Sequence, residues 1–284
     1  MGGVAVVTDS TADLPVELVE SVGLRMVPLS VAFGETSFVA GVTLPTADFY
    51  ARMAAASRMP TTSQPAPLWF EEAYADCVDD GHDAIVSIHC SAALSGTVSL
   101  ARDRARRVDI PVEVVDSRLV GGSLGLAALA AHRVAANGGD VAAVVAAAER
   151  VRRDSVSLLV VDDLAHLKRG GRLTGAQAAL GSAMRVKPLL HVTDEGRVEV
   201  LERARTTRRA LDRLVAIAAE AAGGRPVDVI VVHALAPELA AQVWERLHDV
   251  VTIDDRHEAL IGPVVGAHVG PGAVGVAVVP VDEG

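Results

Sequence analysis

The chain has 284 residues, half of them hydrophobic and 22% charged, which excludes an intrinsically disordered or collagen-like protein and supplies a sizeable buried core. Its formal net charge of −10 argues against a protein that coats nucleic acid, because neutralising phosphates needs a basic face. Since aromatic residues make up 3% of the chain, the core must be filled mainly with Ala, Val and Leu.

Cysteine usage and the apolar segments bear on the compartment. Neither Cys77 nor Cys90 belongs to a CxxC pair, so neither a disulfide framework nor a zinc knuckle is indicated. The N-terminus runs directly into an apolar strand, without the basic segment and cleavage site of a signal peptide. The longest uncharged apolar stretch, residues 119–131, is shorter than the ~18 residues of a membrane span. These features predict a soluble cytoplasmic protein.

Taken in chain order, the first half alternates strands with helices. The first predicted helix begins after residue 12, with Thr11 or Asp13 as its cap and Pro15 in its first turn. The second predicted helix runs to residue 56, with Thr46 as its cap. A loop is predicted at residues 59–67. Strands are predicted at residues 4–10, in short segments around Gly34, and at residues 82–91 and 110–117. Further helices are predicted at residues 68–81, 97–107, 121–136 and 141–153. Such alternation predicts a parallel sheet with helices on both faces.

The second half combines a hairpin with helices. Asp194-Glu195-Gly196 is a turn signal between two strands, and a Gly-rich segment precedes a closing strand at residues 273–280. The other strands are predicted at residues 155–163, 227–234 and 249–254. Two short helices are predicted at residues 167–172 and 175–184, and two longer ones at residues 208–222 and 237–247. The predicted fold is therefore α/β, with an N-terminal parallel-sheet α/β domain at 1–154 and a C-terminal α+β domain with a mixed sheet at 155–284.

Two glycine motifs match cofactor or nucleophile signatures but lack their structural context. Gly270, Gly272 and Gly275 fit GxGxxG, yet too few residues follow Gly275 to build the βαβ unit that binds a dinucleotide. Residues 121–125 fit GxSxG around Ser123, yet residues 116–120 intervene, so the strand does not run directly into this turn, and no oxyanion segment is present. Small residues for close helix packing explain the second motif better.

Two loops place hydroxyl groups ahead of helices. Residues 60–65 carry three consecutive hydroxyl side chains between prolines, and residues 91–97 carry Ser91, Ser95 and Thr97. Hydroxyl donors beside the free N–H groups of a helix start can bind a carboxylate or a phosphate. Both loops are expected at the carboxyl ends of parallel strands, where ligands bind in such sheets. Simple N-capping is the alternative explanation for each loop.

Two further segments could meet an anion. Residues 167–172, LKRGGR, place two glycines between basic residues, so that backbone and guanidinium can approach an anion closely. The alternative is a helix C-cap followed by a solvated arginine. His268 lies between two Gly-Pro pairs and is expected on a stiff turn, where it could donate to an anion, transfer a proton, or hydrogen bond to the backbone. Neither the histidine spacing nor any Asp-rich loop indicates a metal, and no Walker A sequence is present.

Seven segments in register resemble the DegV family over essentially the whole chain. They are DSTADL at 9–14, TTSQP at 61–65, LSGT at 94–97, VDS at 115–117, LKRGGR at 167–172, VKPLL at 186–190 and GPVVGAHVGPGAVG at 262–275. The resemblance implies a two-domain protein that holds one long-chain fatty acid between its domains. It further implies a non-catalytic, cytoplasmic carrier subunit of fatty acid kinase, which presents the carboxylate to an ATP-dependent partner that makes acyl-phosphate for phospholipid synthesis. No cofactor, metal, nucleic acid or stable membrane insertion is implied.

The resemblance also assigns the site residues one by one. The residues that it implies for carboxylate binding are Thr62, Ser63, Ser95 and His268, and those for the phosphate or the partner are Arg172 and Arg205. It leaves open which of Thr61, Thr62 and Ser63 makes the main contact. Val98 departs from the family, which often has an aromatic residue after LSGT.

The bottom-up interpretation agrees with a fatty-acid carrier. Charge-assisted hydrogen bonds to a carboxylate contribute ~1.5–3 kcal/mol each, and each buried methylene contributes about 0.8 kcal/mol, so a long chain dominates the affinity. The alternatives are a serine esterase or thioesterase that uses Ser123 or Ser95 with His268, and a phosphotransferase that acts alone on small hydroxy substrates.

Overall fold

The computed structural model describes residues 2–173 and 186–281, and it confirms the predicted α/β class with a parallel N-terminal sheet and a mixed C-terminal sheet. The strands are β1 (Val4–Asp9), β2 (Arg25–Val27), β3 (Ser30–Phe33), β4 (Thr36–Val39), β5 (Thr61–Ser63), β6 (Ala84–His89), β7 (Val112–Asp116), β8 (Val156–Val160), β9 (Lys187–Val192), β10 (Val198–Ala204), β11 (Val227–His233), β12 (Ile253–Leu260) and β13 (Val274–Pro280).

The helices pack on both sides of these sheets. They are α1 (Val16–Val22), α2 (Thr46–Ala55), α3 (Pro67–Asp79), α4 (Thr97–Ala105), α5 (Gly122–Ala136), α6 (Val141–Asp154), α7 (Ala165–Gly170), α8 (Thr207–Ala222), α9 (Pro237–His248) and α10 (Pro263–Val269). A 3₁₀ turn at Ser10–Ala12 follows β1 directly. The short helix predicted at residues 175–184 lies outside the described residues. Within the described ranges, no helix combines the length and apolarity needed to cross a bilayer.

The N-terminal sheet has the order β2-β1-β6-β7, and its pairings are parallel. Its strands are short and apolar, and β1 and β6 are almost wholly buried, as expected for strands covered on both faces. Since the strands run in one direction, their carboxyl ends share an edge. The turn after β1, the loop after β6 and the segment after β7 therefore meet there, which places the predicted loop at residues 91–97 where ligands bind.

Residues 61–63 form a strand, so the predicted loop over residues 59–67 is wrong. β5 pairs with β3, in register Thr62 to Val31, within a small antiparallel sheet of order β4-β3-β5. Threonine favours extended backbone, and the open edge of β3 offers hydrogen-bond partners that no local sequence pattern reveals. The hydroxyl row therefore lies on an antiparallel edge strand, and not at the end of a parallel strand as expected.

The C-terminal sheet has the order β10-β9-β8-β13-β11-β12 and is mixed. The β9–β10 hairpin is confirmed, and Gly196 supplies the left-handed φ of +74° that its turn requires. β12 runs later than predicted, because its alternating charged residues belong to an edge strand with one face exposed.

Helix α5 joins the two halves into a continuous core. Residues 122–131 of this helix are buried, and it packs against β1 on one side and against β11 and β13 on the other. Glycine and alanine allow this close approach to both sheets, as expected for the GxSxG segment. Arg133 on α5 reaches Asp228 on β11, with an Nη2–Oδ2 distance of 2.6 Å, and ties the helix to the second sheet.

Two predicted helix caps are wrong. Pro15 is the N-cap of α1 and Pro45 that of α2, and neither helix has a side-chain cap. A proline before the first turn already fixes the extended entry, so the nearby polar side chains are not needed there. Asp13 instead ends the 3₁₀ turn with φ 46° and ψ 47°, and its carboxyl group turns to the other half of the molecule.

Candidate functional site

A cavity of about 300 Å³ lies between the carboxyl edge of the N-terminal sheet and the face of the C-terminal sheet. Its walls come from the turn after β1, the loop after β6, the start of α5, strands β8 to β11 and β13, and α10. Most of the wall is apolar, with Leu29, Leu159, Leu190, Val232 and Val264 among the lining residues. The volume is at the lower end of the ~300–1,000 Å³ typical of small-molecule sites.

The polar residues of this cavity include most of those predicted from the sequence. Thr62, Ser63, Ser95, Arg172 and His268 all line it, although they come from four distant parts of the chain. Their proximity is a property of the structure, whereas the binding role assigned to each remains a prediction.

Arg205 is the exception among the predicted site residues. It is exposed in the bend between β10 and α8 and does not line the cavity. The structure therefore separates it from the five residues that share the cavity.

Thr62 and His268 are in direct contact, with 2.8 Å between Thr62 Oγ1 and His268 Nε2. Pairing of β5 with β3 fixes the threonine, and α10 carries the histidine. The predicted stiff turn at His268 is thus a short helix, since Pro263 is compatible with a first helical turn and Gly270, with φ +76°, ends it.

The imidazole of His268 is held in a tight and weakly polar environment. A Cβ built on Gly170 would lie 2.2 Å from His268 Nδ1, so the glycine at the end of α7 makes room for the ring. Nδ1 has no hydrogen-bond partner among the described residues. Burial, together with a smaller contribution from the repulsion of Arg172 and His166, lowers the pKa of His268 to about 4. These surroundings favour a neutral imidazole, and an anion placed beside it would favour the charged form.

Ser95 is positioned by the tight turn that follows β6. Its backbone N–H donates to Ser91 O at 3.1 Å, and its hydroxyl lies 2.8 Å from Thr97 Oγ1 at the start of α4. The contact with Thr97 thus holds the hydroxyl of Ser95, although Gly96 is the N-cap of α4 and this helix has no side-chain cap, and Ser95 also lines the cavity.

Arg172 links the end of α7 to the Ser95 loop. Its Nε donates to Leu94 O at 3.2 Å and its Nη1 to Gly170 O at 2.5 Å. Gly171, with a left-handed φ of +68°, turns the chain so that the arginine can reach both carbonyls. A guanidinium is thereby held at the wall near the hydroxyls, where it can attract an anionic group.

The geometry does not favour nucleophilic catalysis. Ser123 Oγ is buried and donates to Val120 O at 3.0 Å, and Ser123 does not line the cavity. His268 pairs with Thr62 and Ser95 with Thr97, so neither candidate serine has a hydrogen-bonded base. Among the described residues, no group of three or more His, Cys, Asp or Glu side chains could hold a metal ion.

The sequence analysis missed several residues around the site. Gln64 lines the cavity and lies across Gly96, where an added Cβ would meet its Oε1 at 2.2 Å. Thr11, Asp13 and Cys90 line it as well. Gln64 adjoins the hydroxyl row, so the TTSQP motif was a usable signal, and Thr11 and Asp13 belong to the DSTADL segment. Cys90 gave no signal beyond its place after a strand.

A buried hydrogen-bond network supports this wall. Asp9 accepts from Thr11 Oγ1 at 2.6 Å, from Cys90 N at 3.0 Å and from His89 Nδ1 at 3.0 Å. The network continues from His89 Nε2 to Ser87 Oγ and on to the hydroxyl of Tyr74.

The order Asp–His–Ser in this network resembles a catalytic triad, but its members have no exposed surface. A nucleophile that no substrate can reach has no catalytic use. We interpret the network as structural, since it fixes Thr11 and Cys90 where the cavity begins.

Comparison with known proteins gives a consistent result. A family model described as "Uncharacterised protein, DegV family" matches residues 3–281. A DegV domain-containing protein of Streptomyces coelicolor is 45% identical over 276 residues, covering 97% of this chain and 98% of the relative.

Solved structures agree with the sequence matches. A DegV family protein from Thermus thermophilus, described for its fatty acid binding, superposes with a TM-score of 0.91 at 32% identity, covering 98% of this chain and all of that one. DegV of Bacillus subtilis, described as a fatty acid binding protein, superposes with a TM-score of 0.88 at 34% identity, covering 99% of this chain and 100% of that one.

Proposed function

Because the chain belongs to the DegV family, we propose that it binds one long-chain fatty acid in the cavity between its two sheets. The carboxylate is bound by Thr62, Ser63, Ser95 and His268, and the acyl chain extends along the apolar wall. With the domain boundary at residue 154, the ligand lies between the domains.

The observation that carries this proposal is the Thr62–His268 contact at the polar end of an apolar cavity. A carboxylate can accept from hydroxyls, from an imidazolium and from a guanidinium, and it needs neither a nucleophile nor a metal. Each charge-assisted hydrogen bond contributes ~1.5–3 kcal/mol, and burial of each methylene contributes about 0.8 kcal/mol. A fatty acid matches both parts of the cavity, whereas inorganic phosphate would leave the apolar part without a partner.

Extraction of the purified protein with organic solvent, followed by mass spectrometry, tests the proposal. We expect close to one fatty acid per chain, and we expect the delipidated protein to take up added fatty acid again. A protein that yields no fatty acid and binds none after delipidation would contradict the proposed function.

We further propose that the chain is a carrier without catalytic activity of its own and without a cofactor. In the cytoplasm it presents the bound carboxylate to an ATP-dependent fatty acid kinase, and the acyl-phosphate enters phospholipid synthesis. Arg172 in the cavity wall and the exposed Arg205 face the phosphate or the partner. An exposed arginine outside the cavity suits contact with a second protein better than contact with the fatty acid.

Acyl-phosphate formation tests the carrier role separately from binding. The loaded protein is incubated with ATP and an extract of the cells that produce it, and acyl-phosphate is trapped with hydroxylamine as the hydroxamate. We expect product from the wild-type chain and several-fold less from Arg205→Ala, with fatty acid binding unchanged. Equal product with and without the added protein would contradict the carrier role and leave fatty acid binding intact.

A further inference from the structure

Asp13 is a buried carboxyl group in the wall of the cavity. The residue is 4% exposed. Its Oδ1 accepts from the backbone N–H of Gly262 at 2.8 Å, which fixes the orientation of the group. Its Oδ2 is buried and has no hydrogen-bond partner in the part of the chain that the structure describes. Leaving such a group unpaired costs about 1–3 kcal/mol, so the second oxygen calls for an explanation.

The backbone around Asp13 keeps the carboxyl group in place and leaves space beside it. Asp13 has φ 46°, a left-handed conformation in which aspartate is among the better tolerated residues. A Cβ on Gly121 would lie 3.6 Å from Oδ2, and a Cβ on Gly262 would lie 3.1 Å from Oδ1. Because both positions are glycines, no side chain of theirs covers the carboxyl group.

The surroundings of Asp13 favour the neutral form of its carboxyl group. Burial raises its pKa well above the usual range, the Gly262 N–H lowers it in part, and the negative charge of Asp9 raises it again. Since Oδ1 accepts the N–H of Gly262, a proton on this carboxyl group would sit on Oδ2. In either protonation state, Oδ2 is left without a hydrogen-bond partner among the described residues.

Neighbouring hydroxyl groups already use their own hydrogens. Thr11 Oγ1 donates to Asp9 at 2.6 Å, and the Tyr50 hydroxyl donates to Ile261 O at 2.9 Å. Neither of these hydroxyl groups therefore supplies a hydrogen bond to Asp13 Oδ2.

This inference rests on the proposed function and specifies its ligand. We propose that the cavity selects a fatty acid with a hydroxyl group on its chain, and that Asp13 hydrogen bonds to that hydroxyl. A hydroxyl accepts from a neutral carboxyl group and donates to an ionised one, so it satisfies Oδ2 in either state. A plain acyl chain would cover Oδ2 with methylenes and leave it unpaired, and sites built around a buried polar group discriminate against ligands that lack its partner.

Binding of a positional series of hydroxystearic acids to the delipidated wild-type protein tests this inference, with stearic acid as the reference. We expect one isomer, or two neighbouring ones, to bind about tenfold more tightly than stearic acid, which corresponds to about 1.4 kcal/mol. Stearic acid that binds as tightly as every isomer would overturn the inference while supporting the proposed function. If none of the acids binds, both the inference and the proposed function are contradicted.

Variants test whether Asp13 causes the preference for a hydroxy fatty acid. Asp13→Asn keeps the shape, the acceptor for Gly262 and an N–H donor in place of Oδ2, so the preference should persist. Asp13→Leu removes both polar atoms, so the preferred hydroxystearic acid and stearic acid should bind with about equal affinity. Ser157→Ala removes another hydroxyl that lines the cavity and serves as the matched control. Loss of the preference in Ser157→Ala and its persistence in Asp13→Leu would overturn the assignment. If Asp13→Leu does not fold, loss of the preference in Ser157→Ala alone still overturns it.

Discussion

Thr62 Oγ1 and His268 Nε2 lie 2.8 Å apart, although 206 positions separate the two residues in the chain. The contact joins the edge strand β5 of the N-terminal half to α10 of the C-terminal half. It places a hydroxyl and an imidazole together at the cavity, so each can contribute a hydrogen bond to one carboxylate.

Replacement of Thr62 by valine should weaken fatty acid binding. The substitution keeps the branched shape but removes a donor, and loss of one charge-assisted hydrogen bond of ~1.5–3 kcal/mol corresponds to at least tenfold in affinity. Displacement of a fluorescent fatty acid measures the change. Thr61→Val is the matched control, because Thr61 lies on the same strand but does not line the cavity. An equal loss in both variants would show that the hydroxyl of Thr62 has no specific role.

A methyl group added at Gly170 should displace the imidazole of His268 and weaken fatty acid binding. In Gly170→Ala the new Cβ would lie 2.2 Å from His268 Nδ1, so the imidazole must move away from its position beside Thr62. We expect fatty acid affinity to fall about tenfold while the protein stays folded. Gly3→Ala, where an added Cβ meets nothing within 4 Å, is the control. Unchanged affinity in Gly170→Ala would show that the position of His268 does not matter for binding.

The stability of the ligand-free protein should depend on pH through His268. Its pKa is about 4 in the folded protein, mainly because of burial, and about 6.5 when unfolded. Between these values the unfolded chain binds a proton that the folded chain does not, so the free energy of unfolding falls as the pH is lowered from about 6.5 to 4.

His268→Gln should make this fall shallower, as measured by urea denaturation at several pH values. His248→Gln removes an exposed imidazole and serves as the control. Identical pH profiles for the wild type and His268→Gln would contradict the lowered pKa.

The buried network around Asp9 should contribute to stability and not to catalysis. Burial acts to raise the pKa of Asp9, but the hydrogen bond and the charge of His89 outweigh it and lower the pKa. In Asp9→Asn an amide N–H₂ replaces one oxygen that now accepts hydrogen bonds, so we expect destabilisation of about 3 kcal/mol. Chemical denaturation measures the loss, with exposed Asp109→Asn as the control. Hydrolysis of nitrophenyl esters by the wild type, abolished in Asp9→Asn, would instead indicate a catalytic role.

Sequence patterns were reliable where local physics decides the structure. The buried strands β1 and β6, the amphipathic helices α8 and α9, and the β9–β10 hairpin follow from apolar periodicity and turn chemistry. Sequence patterns gave wrong predictions where a residue distant in the chain determines the local structure. β5 becomes a strand because β3 offers it an edge, and the carboxyl group of Asp13 binds Gly262 instead of capping α1.

The sequence by itself determined the α/β class and the hydroxyl-rich segments that contain Thr62 and Ser95. These follow from composition, spacing and backbone propensity, which act over a few neighbouring residues. Only the tertiary structure decided that Thr62 meets His268 and that Arg205 lies outside the cavity. It also decided that an oxygen of Asp13 in the cavity wall has no hydrogen-bond partner among the residues described. Those relationships depend on how two sheets pack across α5, and packing joins residues that no local pattern relates.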